Sequence, residues 1–488
     1  MLTGAEVAKH NTRESCWVIV NGNAYDVTDF LDQHPGGASV ILKYAGKDAT
    51  EEYNAIHAEG TIEKHLPREK HLGPVDPATI ALNTEPKTLR QLKPTDPIPL
   101  SMCLCLDDFE AAAERVIDRR AFTYYHSAAD GLGTLRNNQQ DWAKILLRPR
   151  ILRNVKRVDM RRVMLGQKSL LPIFIAPAAR AKLAHQDGEL CLAKGAARAG
   201  IPYCTSTVST VSHDQLAACL QAEKVHKEEG CLFFQLYVAN DKQVTIERIE
   251  TARRLGFKAL VLTVDSAVVG KREEDERYRA ELDYINGKEV DPAAYIKVAD
   301  DGPPVLRAFH SPAVTWDDLK WIRELWGNSG PFVLKGIQTV EDALLAAEAG
   351  VDAIYLSNHG GRQCDDAPSS IRTLMEIRRF APDLLQKVEI YLDGWVRRGA
   401  DVIKALCLGA RGVAIGRPFM YALGAHGTAG VEKAIRILSE EIETTMRLIG
   451  VTSLDQLNPS YVDTTVLERD IPQRLPSAEA ELRLRCKL

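Results

Sequence analysis

Ser357-Asn358-His359-Gly360-Gly361-Arg362 brings a titratable ring, a guanidinium and a flexible glycine pair into one short stretch of the 488-residue chain. His359 suits the role of a base, because imidazole titrates near neutral pH. The guanidinium of Arg362 can hold a carboxylate through two parallel hydrogen bonds. Asp265 can orient an imidazole and stabilise its protonated form, as carboxylates do in catalytic triads. Lys335 can set a positive charge beside an electron-accepting ring. Gly416-Arg417 suits a phosphate, since glycine permits close backbone approach and arginine neutralises charge.

A second group lies near the N-terminus. Asp32-Gln33-His34-Pro35-Gly36-Gly37 is followed by His57. Two neutral imidazoles can ligate a haem iron from both faces, which leaves no open position for dioxygen and favours electron transfer.

The elements that must position these residues follow a rhythm. Eight β-rich runs begin at Pro172, Pro202, Leu232, Ala259, Phe332, Ala353, Val388 and Gly412, with helical patterns between them. Continuous apolar strands between helices predict a parallel sheet covered by helices. Eight of them fit an α/β fold of the (β/α)8 TIM-barrel type, with a doubly wound open sheet as the alternative. Barrel active sites lie where the strands end. The runs end at Ser206, at Gln235 and Tyr237, at Thr263 and Asp265, at Lys335, at Ser357 to Arg362, at Asp393-Gly394, and at Gly416-Arg417. The long connection from Asp265 to Phe332 opens with a charged run, Arg272 to Arg279, that reads as a solvated helix face. The connection itself is expected to be a lid or excursion.

Three segments are expected: residues 1–76 as a small α+β module, 77–105 as a proline-rich hinge, and 106–488 as the barrel with its C-terminal tail. The hinge carries Pro77, Pro86, Pro94, Pro97 and Pro99. Charge is near balance, at −4 overall, with no long basic block, so nucleic-acid binding is not suggested. No apolar run reaches about 18 residues, so no membrane span is expected. The ten cysteines show no CxxC pair and read as reduced intracellular thiols. The N-terminus reads as neither a secretory nor a transit signal. Cys486-Lys487-Leu488 resembles a variant of the peroxisomal tail.

Leu356-Ser-Asn-His-Gly-Gly-Arg-Gln363 closely resembles the signature of the FMN-dependent α-hydroxy-acid oxidase and dehydrogenase family. Phe234-Gln-Leu-Tyr-Val238, Thr263-Val-Asp265, Val333-Leu-Lys-Gly336 and Gly416-Arg-Pro418 resemble its other blocks. The resemblance implies that His359 is the base, paired with Asp265, and that Arg362 and Tyr124 bind the substrate carboxylate. It implies that Tyr237 meets the substrate hydroxyl and that Arg272 lies near substrate and flavin. Lys335 would face the flavin N1 edge, while Ser206, Gln235 and Thr263 would bond the ring system. Asp393, Gly394, Arg397, Gly416 and Arg417 would hold ribityl and phosphate. The chain departs from the family at Trp395, where a second glycine usually stands; a positive φ there would strain a tryptophan. It departs again at Pro177-Ala178-Ala179-Arg180, where Arg180 puts a charge in place of an apolar chain. Ala179 and Val208 match positions lining the substrate side chain, and their size suits a short chain such as that of lactate.

Residues 1–73 resemble cytochrome b5, with His34 and His57 as ligands of haem b. The order of a b5-like module, a proline-rich hinge and a hydroxy-acid barrel resembles the flavocytochrome b2 type of L-lactate dehydrogenase. That likeness implies cytochrome c as electron acceptor, a homotetramer, and the mitochondrial intermembrane space as an alternative to the peroxisome or cytoplasm. A hydroxy-acid oxidase that passes electrons to dioxygen and releases hydrogen peroxide is the alternative function.

Overall fold

Alternating Val and Ile on one side of Asn21-Gly22 and a matching run on the other fold into a hairpin. Strand β1 (Trp17–Val20) pairs antiparallel with β2 (Asn23–Asp26). Asn21 and Gly22 turn the chain at φ 49° and 75°, the left-handed backbone that a two-residue hairpin requires. Strands β3 (Lys47–Asp48) and β4 (His71–Pro74) complete a sheet of order β3-β1-β2-β4. Val18, Val20, Tyr25, Leu31 and Leu66 form its buried core. The structure, a computed structural model, describes residues 1–80, 93, 95–226, 228–288 and 310–475. It divides into two units, Met1–Pro94 and Thr95–Leu488.

The second unit is built on β5 (Ile173–Ile175), β6 (Tyr203–Thr205), β7 (Leu232–Leu236), β8 (Leu260–Thr263), β9 (Phe332–Ile337), β10 (Ala353–Leu356), β11 (Glu389–Leu392) and β12 (Gly412–Ile415). They form a closed parallel barrel. Val413 of β12 lies opposite Ile173 of β5, and this pairing shuts the sheet and removes the open-sheet alternative. Each strand is apolar along its length because helices cover one face and side chains fill the other. Within the barrel, Phe174 meets Phe233, Tyr355 and Tyr391 edge-on at 5.9, 5.7 and 5.8 Å. Outside it, a helix spans Leu106–Val116 and buries Leu106, Phe109, Ala112 and Ala113, a helical spacing that forms one apolar stripe.

The charged run after β8 is the helix Glu273–Ile285, in which buried Asp275 pairs with Arg279 at 2.6 Å. The rest of the expected lid falls on residues 289–309, outside the described residues. So do residues 81–92 and 94 of the proline-rich hinge and Cys486-Lys487-Leu488. The nine described cysteines are free thiols. Among the described residues, no helix is long and apolar enough to cross a membrane.

The edge-to-face cluster around Phe174 packs the barrel from inside. Phe174→Ala is expected to destabilise the barrel unit by about 3–5 kcal/mol. Denaturant unfolding followed by barrel tryptophan fluorescence would check it, and a loss below about 1 kcal/mol would contradict this account of the core.

Candidate active site

The loop after β10 has an unusual backbone. His359, Gly360 and Gly361 take φ values of 58°, 66° and 77° in succession. A histidine in this region is uncommon and costs energy, which surrounding contacts must offset. Asn358 supplies some of them. Its amide pairs reciprocally with Asn138, at 2.9 and 2.7 Å, and its Oδ1 accepts from Gly361 N. A Cβ on Gly361 would lie 2.9 Å from Leu135 N, so only glycine fits there.

This backbone aims His359 at Asp265, which follows β8. Nδ1 lies 2.8 Å from Asp265 Oδ1. A carboxylate can only accept, so the ring carries its proton on Nδ1. Nε2 keeps its lone pair and lies 3.3 Å from the Tyr237 hydroxyl. Asp265 is fully buried, which alone would raise its pKa. The charges of His359 and Lys335 outweigh burial and hold it down at about 2. Burial lowers the His359 pKa further than Asp265 raises it, with Lys335 and Arg272 adding repulsion. The imidazole is therefore neutral at pH 7 and able to accept a proton. Lys335 Nζ donates to Ser357 Oγ at 2.9 Å and stands 3.7 Å from Asp265 and 3.9 Å from Asp393.

A cavity of about 390 Å³ opens in front of this group. Tyr124, Ser206, Gln235, Tyr237, Thr263, Arg272, Lys335, His359, Arg362, Asp393, Gly394, Arg397, Gly416 and Arg417 all line it. Asp265 stands behind His359. On one wall, the Gln235 amide donates to Thr263 Oγ1 and accepts from Thr207 N, while Ser206 Oγ accepts from Val208 N. On another, the Tyr124 ring lies 5.3 Å from the guanidinium carbon of Arg362. Arg362 Nη1 donates to the carbonyls of Tyr125 and Ser127. Burial and the neighbouring Arg362 lower the Arg272 pKa to about 10, and burial and Arg417 do the same to Arg362.

Two of the lining arginines also have protein partners that the sequence did not indicate. Arg417 donates to three backbone carbonyls, those of Tyr125, Gly360 and Ser127, at 2.8, 2.8 and 2.9 Å. These bonds tie it to the loop that carries His359. Arg397 Nη2 pairs with Glu110 at 2.7 Å and Nη1 lies 3.3 Å from Asp107. Its guanidinium also lies 4.5 Å from the centre of the Trp395 ring. Trp395 has a φ of 57°, so the strain anticipated at the missing glycine is present.

Several contributors were not read from the sequence. Ser266 Oγ donates to Asp265 at 3.1 Å. Gln363 donates to the carbonyls of Asp265 and Val268 and accepts from Gly270 N, tying two loops together. His310 stacks on Tyr237 at 3.8 Å, with a pKa lowered to about 4 by burial, Arg248 and His359. Ser266 and Gln363 adjoin the motifs and were findable by that proximity. His310 has no signal of its own in the sequence.

In the other unit, His34 and His57 face one another with ring centroids 6.0 Å apart. That spacing admits one metal ion between two ring nitrogens at bonds of about 2 Å each. Nδ1 of His34 lies 3.4 Å from the Gly37 carbonyl, and Nδ1 of His57 lies 3.2 Å from that of Tyr53. Carbonyls only accept, so both rings keep Nε2 unprotonated for a metal.

A barrel with a carboxylate–imidazole pair and arginines at its strand ends, joined to a unit with facing histidines, defines a two-cofactor oxidoreductase. The model of the FMN-dependent dehydrogenase family matches residues 113–464. That of the cytochrome b5-like haem/steroid binding domain matches residues 3–76. L-lactate dehydrogenase (cytochrome) of Wickerhamomyces anomalus is 40% identical over 479 residues, covering 96% of this chain and 81% of the relative. Glycolate oxidase 1 of Oryza sativa subsp. indica is 40% identical over 373 residues, covering 75% of this chain and 98% of the relative. A solved double mutant of flavocytochrome b2 with pyruvate bound aligns with a TM-score of 0.68 at 35% identity, over 79% of this chain and 93% of that one. The chain belongs to the FMN-dependent dehydrogenase family, in the branch that carries a cytochrome b5-like domain. Its cofactors are FMN and haem b.

The residues present fit both groups. Asp393 Oδ1, Arg397 Nη1 and Arg272 Nε are buried and have no hydrogen-bond partner among the described residues. Buried polar atoms in that state call for a polar ligand, and a phosphate bearing a hydroxylated chain supplies one. The facing imidazoles fit haem iron. His57→Ala is expected to remove the haem absorbance band while leaving the flavin band intact. An unchanged haem spectrum would exclude His57 as a ligand.

Proposed function

We propose that this chain oxidises a short L-2-hydroxy acid, L-lactate to pyruvate, and that the electrons leave through haem b to cytochrome c. The Asp265–His359–Tyr237 line, opening on the cavity that holds Arg362 and Tyr124, carries the hydroxy-acid reading. The facing histidines of the N-terminal unit carry the choice of acceptor. The yeast L-lactate dehydrogenase (cytochrome) matches across both units, whereas the rice glycolate oxidase matches a stretch of barrel length.

When bound, FMN takes the two electrons removed from the substrate and haem b relays electrons one at a time. Arg362 and the Tyr124 hydroxyl hold the substrate carboxylate, with Arg272 nearby. The Tyr237 hydroxyl meets the substrate hydroxyl and fixes its direction. His359 Nε2 accepts a proton from the substrate, and Asp265 stabilises the imidazolium that results. Lys335 would offer its positive charge to the flavin ring and favour its reduced form. Ser206, Gln235 and Thr263 face the ring system. Asp393, Gly394 and Arg397 serve the ribityl and phosphate end, with Gly416 and Arg417 closing it. The labour divides between residues 1–76 for haem, 77–105 as a connecting hinge, and 106–488 for the flavin chemistry. A homotetramer belongs to the same proposal, tested by a solution mass near four times 54.0 kDa.

His359→Gln should slow flavin reduction by L-lactate ~10²–10⁴-fold and leave the haem spectrum unchanged. Retained turnover would exclude His359 as the base. In the wild-type protein, L-lactate should drive stoichiometric cytochrome c reduction with little hydrogen peroxide; the reverse yield would assign the chain to the oxidases. Because burial depresses the His359 pKa, its base form persists below the ordinary histidine value of about 6.5. The value of kcat/KM should therefore be level at neutral pH and fall only under more acid conditions. An acid limb centred above about 6.5 would contradict the assignment.

A further inference from the structure

Arg180 lines the same cavity, next in sequence to Ala179 and bonded to Val208, the two positions that match the family's substrate side-chain lining. It follows β5 and takes a left-handed backbone, with φ 62° and ψ 39°. Its carbonyl accepts from the Tyr125 hydroxyl at 2.8 Å, and its N–H donates to Val208 at 3.4 Å. The residue is thus held from both sides in a conformation a non-glycine residue seldom adopts. Its guanidinium lies 5.5 Å from the centre of the Tyr124 ring, the ring that also meets Arg362 at 5.3 Å. Tyr124 therefore separates the two guanidinium groups by no more than the sum of those distances.

The charges of the cavity leave Arg180 over. Lys335 has Asp265 and Asp393, Arg397 has Glu110 and Asp107, and Arg279 has Asp275. Arg417 donates to three backbone carbonyls. Arg362 and Arg272 are committed to the carboxylate beside the reacting carbon. Among the described residues, Arg180 has no carboxylate partner, only the face of Tyr124. Ala178, Ala179 and Val208 line the cavity beside it and are small enough to leave room for a substrate chain longer than a methyl group. A half-buried guanidinium with an aromatic face on one side and open cavity on the other is a carboxylate site.

We propose that Arg180 is a specificity-determining residue that binds a second carboxylate at the far end of the substrate. The site then takes 2-hydroxy dicarboxylates of malate or 2-hydroxyglutarate length as well as lactate. This rests on the hydroxy-acid reading given above. The reaction at carbon 2 is unchanged: hydroxyl becomes ketone, two electrons go to FMN and two protons are released. Only the recognition of the far end differs.

The test uses the holoenzyme and compares L-2-hydroxyglutarate with an uncharged 2-hydroxy acid of equal chain length, with L-lactate as reference. Flavin reduction gives kcat/KM for each. Titration with 2-oxoglutarate and with its uncharged counterpart, followed by calorimetry, gives binding without turnover. The wild type should favour the dicarboxylate by roughly tenfold or more in both measurements, the worth of one charge-assisted contact. Arg180→Met should lower that ratio by a similar factor, and Arg180→Lys should restore part of it. Flavin and haem spectra of the variants establish that they are folded. A ratio near one in the wild type, or a ratio untouched by Arg180→Met, overturns the proposal. If lactate is oxidised normally in that case, the function proposed above stands. If no 2-hydroxy acid reduces the flavin, both fall together.

Discussion

The hydrogen bond between Asp265 and His359 depends on the register of three strands. Asp265 follows β8 and His359 follows β10, so β9 lies between their supports. Thr263 is opposite Lys335, and Lys335 is opposite Tyr355. A slip of one residue would turn every one of these side chains to the other face of the sheet. Gly336 permits the close fit. It has a φ of 108°, the pairing of β9 with β10 shifts at this point, and a Cβ there would lie 2.7 Å from that of Asp265. A buried carboxylate is costly unless its charge is compensated. His359 and Lys335 provide the compensation, and so the imidazole, the carboxylate and the lysine form one electrostatic unit.

The opposite wall is governed by positive charge. Arg362 and Arg417 are both buried, Arg417 depresses the protonation of Arg362, and among the described residues neither rests on a carboxylate. Both donate to the carbonyls of Tyr125 and Ser127, at the C-terminal end of the helix Arg119–His126. Those carbonyls carry the negative end of the helix dipole, which favours nearby cations. Arg417 also donates to Gly360, inside the catalytic loop. The end of one helix therefore fixes the arginine expected to hold substrate and the loop that carries the base. The excess positive charge suits a cavity whose ligands are a phosphate and a carboxylate.

The barrel was legible because strands buried on both faces leave continuous apolar runs, and because barrel chemistry gathers at strand ends. His359, Asp265 and Lys335 follow from those two facts together. Trp395 was legible as a glycine replaced where φ is positive. What could not be read depends on which distant segments meet. Nothing near Arg417 in the sequence indicates that Tyr125 and Ser127 offer it carbonyls, and nothing near Arg397 indicates Glu110. The Asn138–Asn358 pair joins residues on separate elements, and His310 reaches Tyr237 from the end of a long connection. Arginine has many rotamers, so its sequence neighbours constrain its direction far less than the backbone constrains a strand residue.

Three histidines in this chain differ in function through the partner of Nδ1. In His359 that partner is a carboxylate, which carries a full charge. It stabilises the imidazolium, so the ring can take a proton and hold it during reaction. In His34 and His57 the partner is a backbone carbonyl, which fixes the tautomer without offering a counter-charge. Such rings present Nε2 as a lone pair, the state a metal requires. Surroundings add to the difference. All three rings are half-buried, but His359 lines a cavity beside Asp265 and Lys335, whereas His34 and His57 face each other. A haem covers such rings when bound, and a substrate must reach the other one. The same side chain is thus set up to accept a proton in one unit and to ligate a metal in the other, and the atom behind the ring makes the difference.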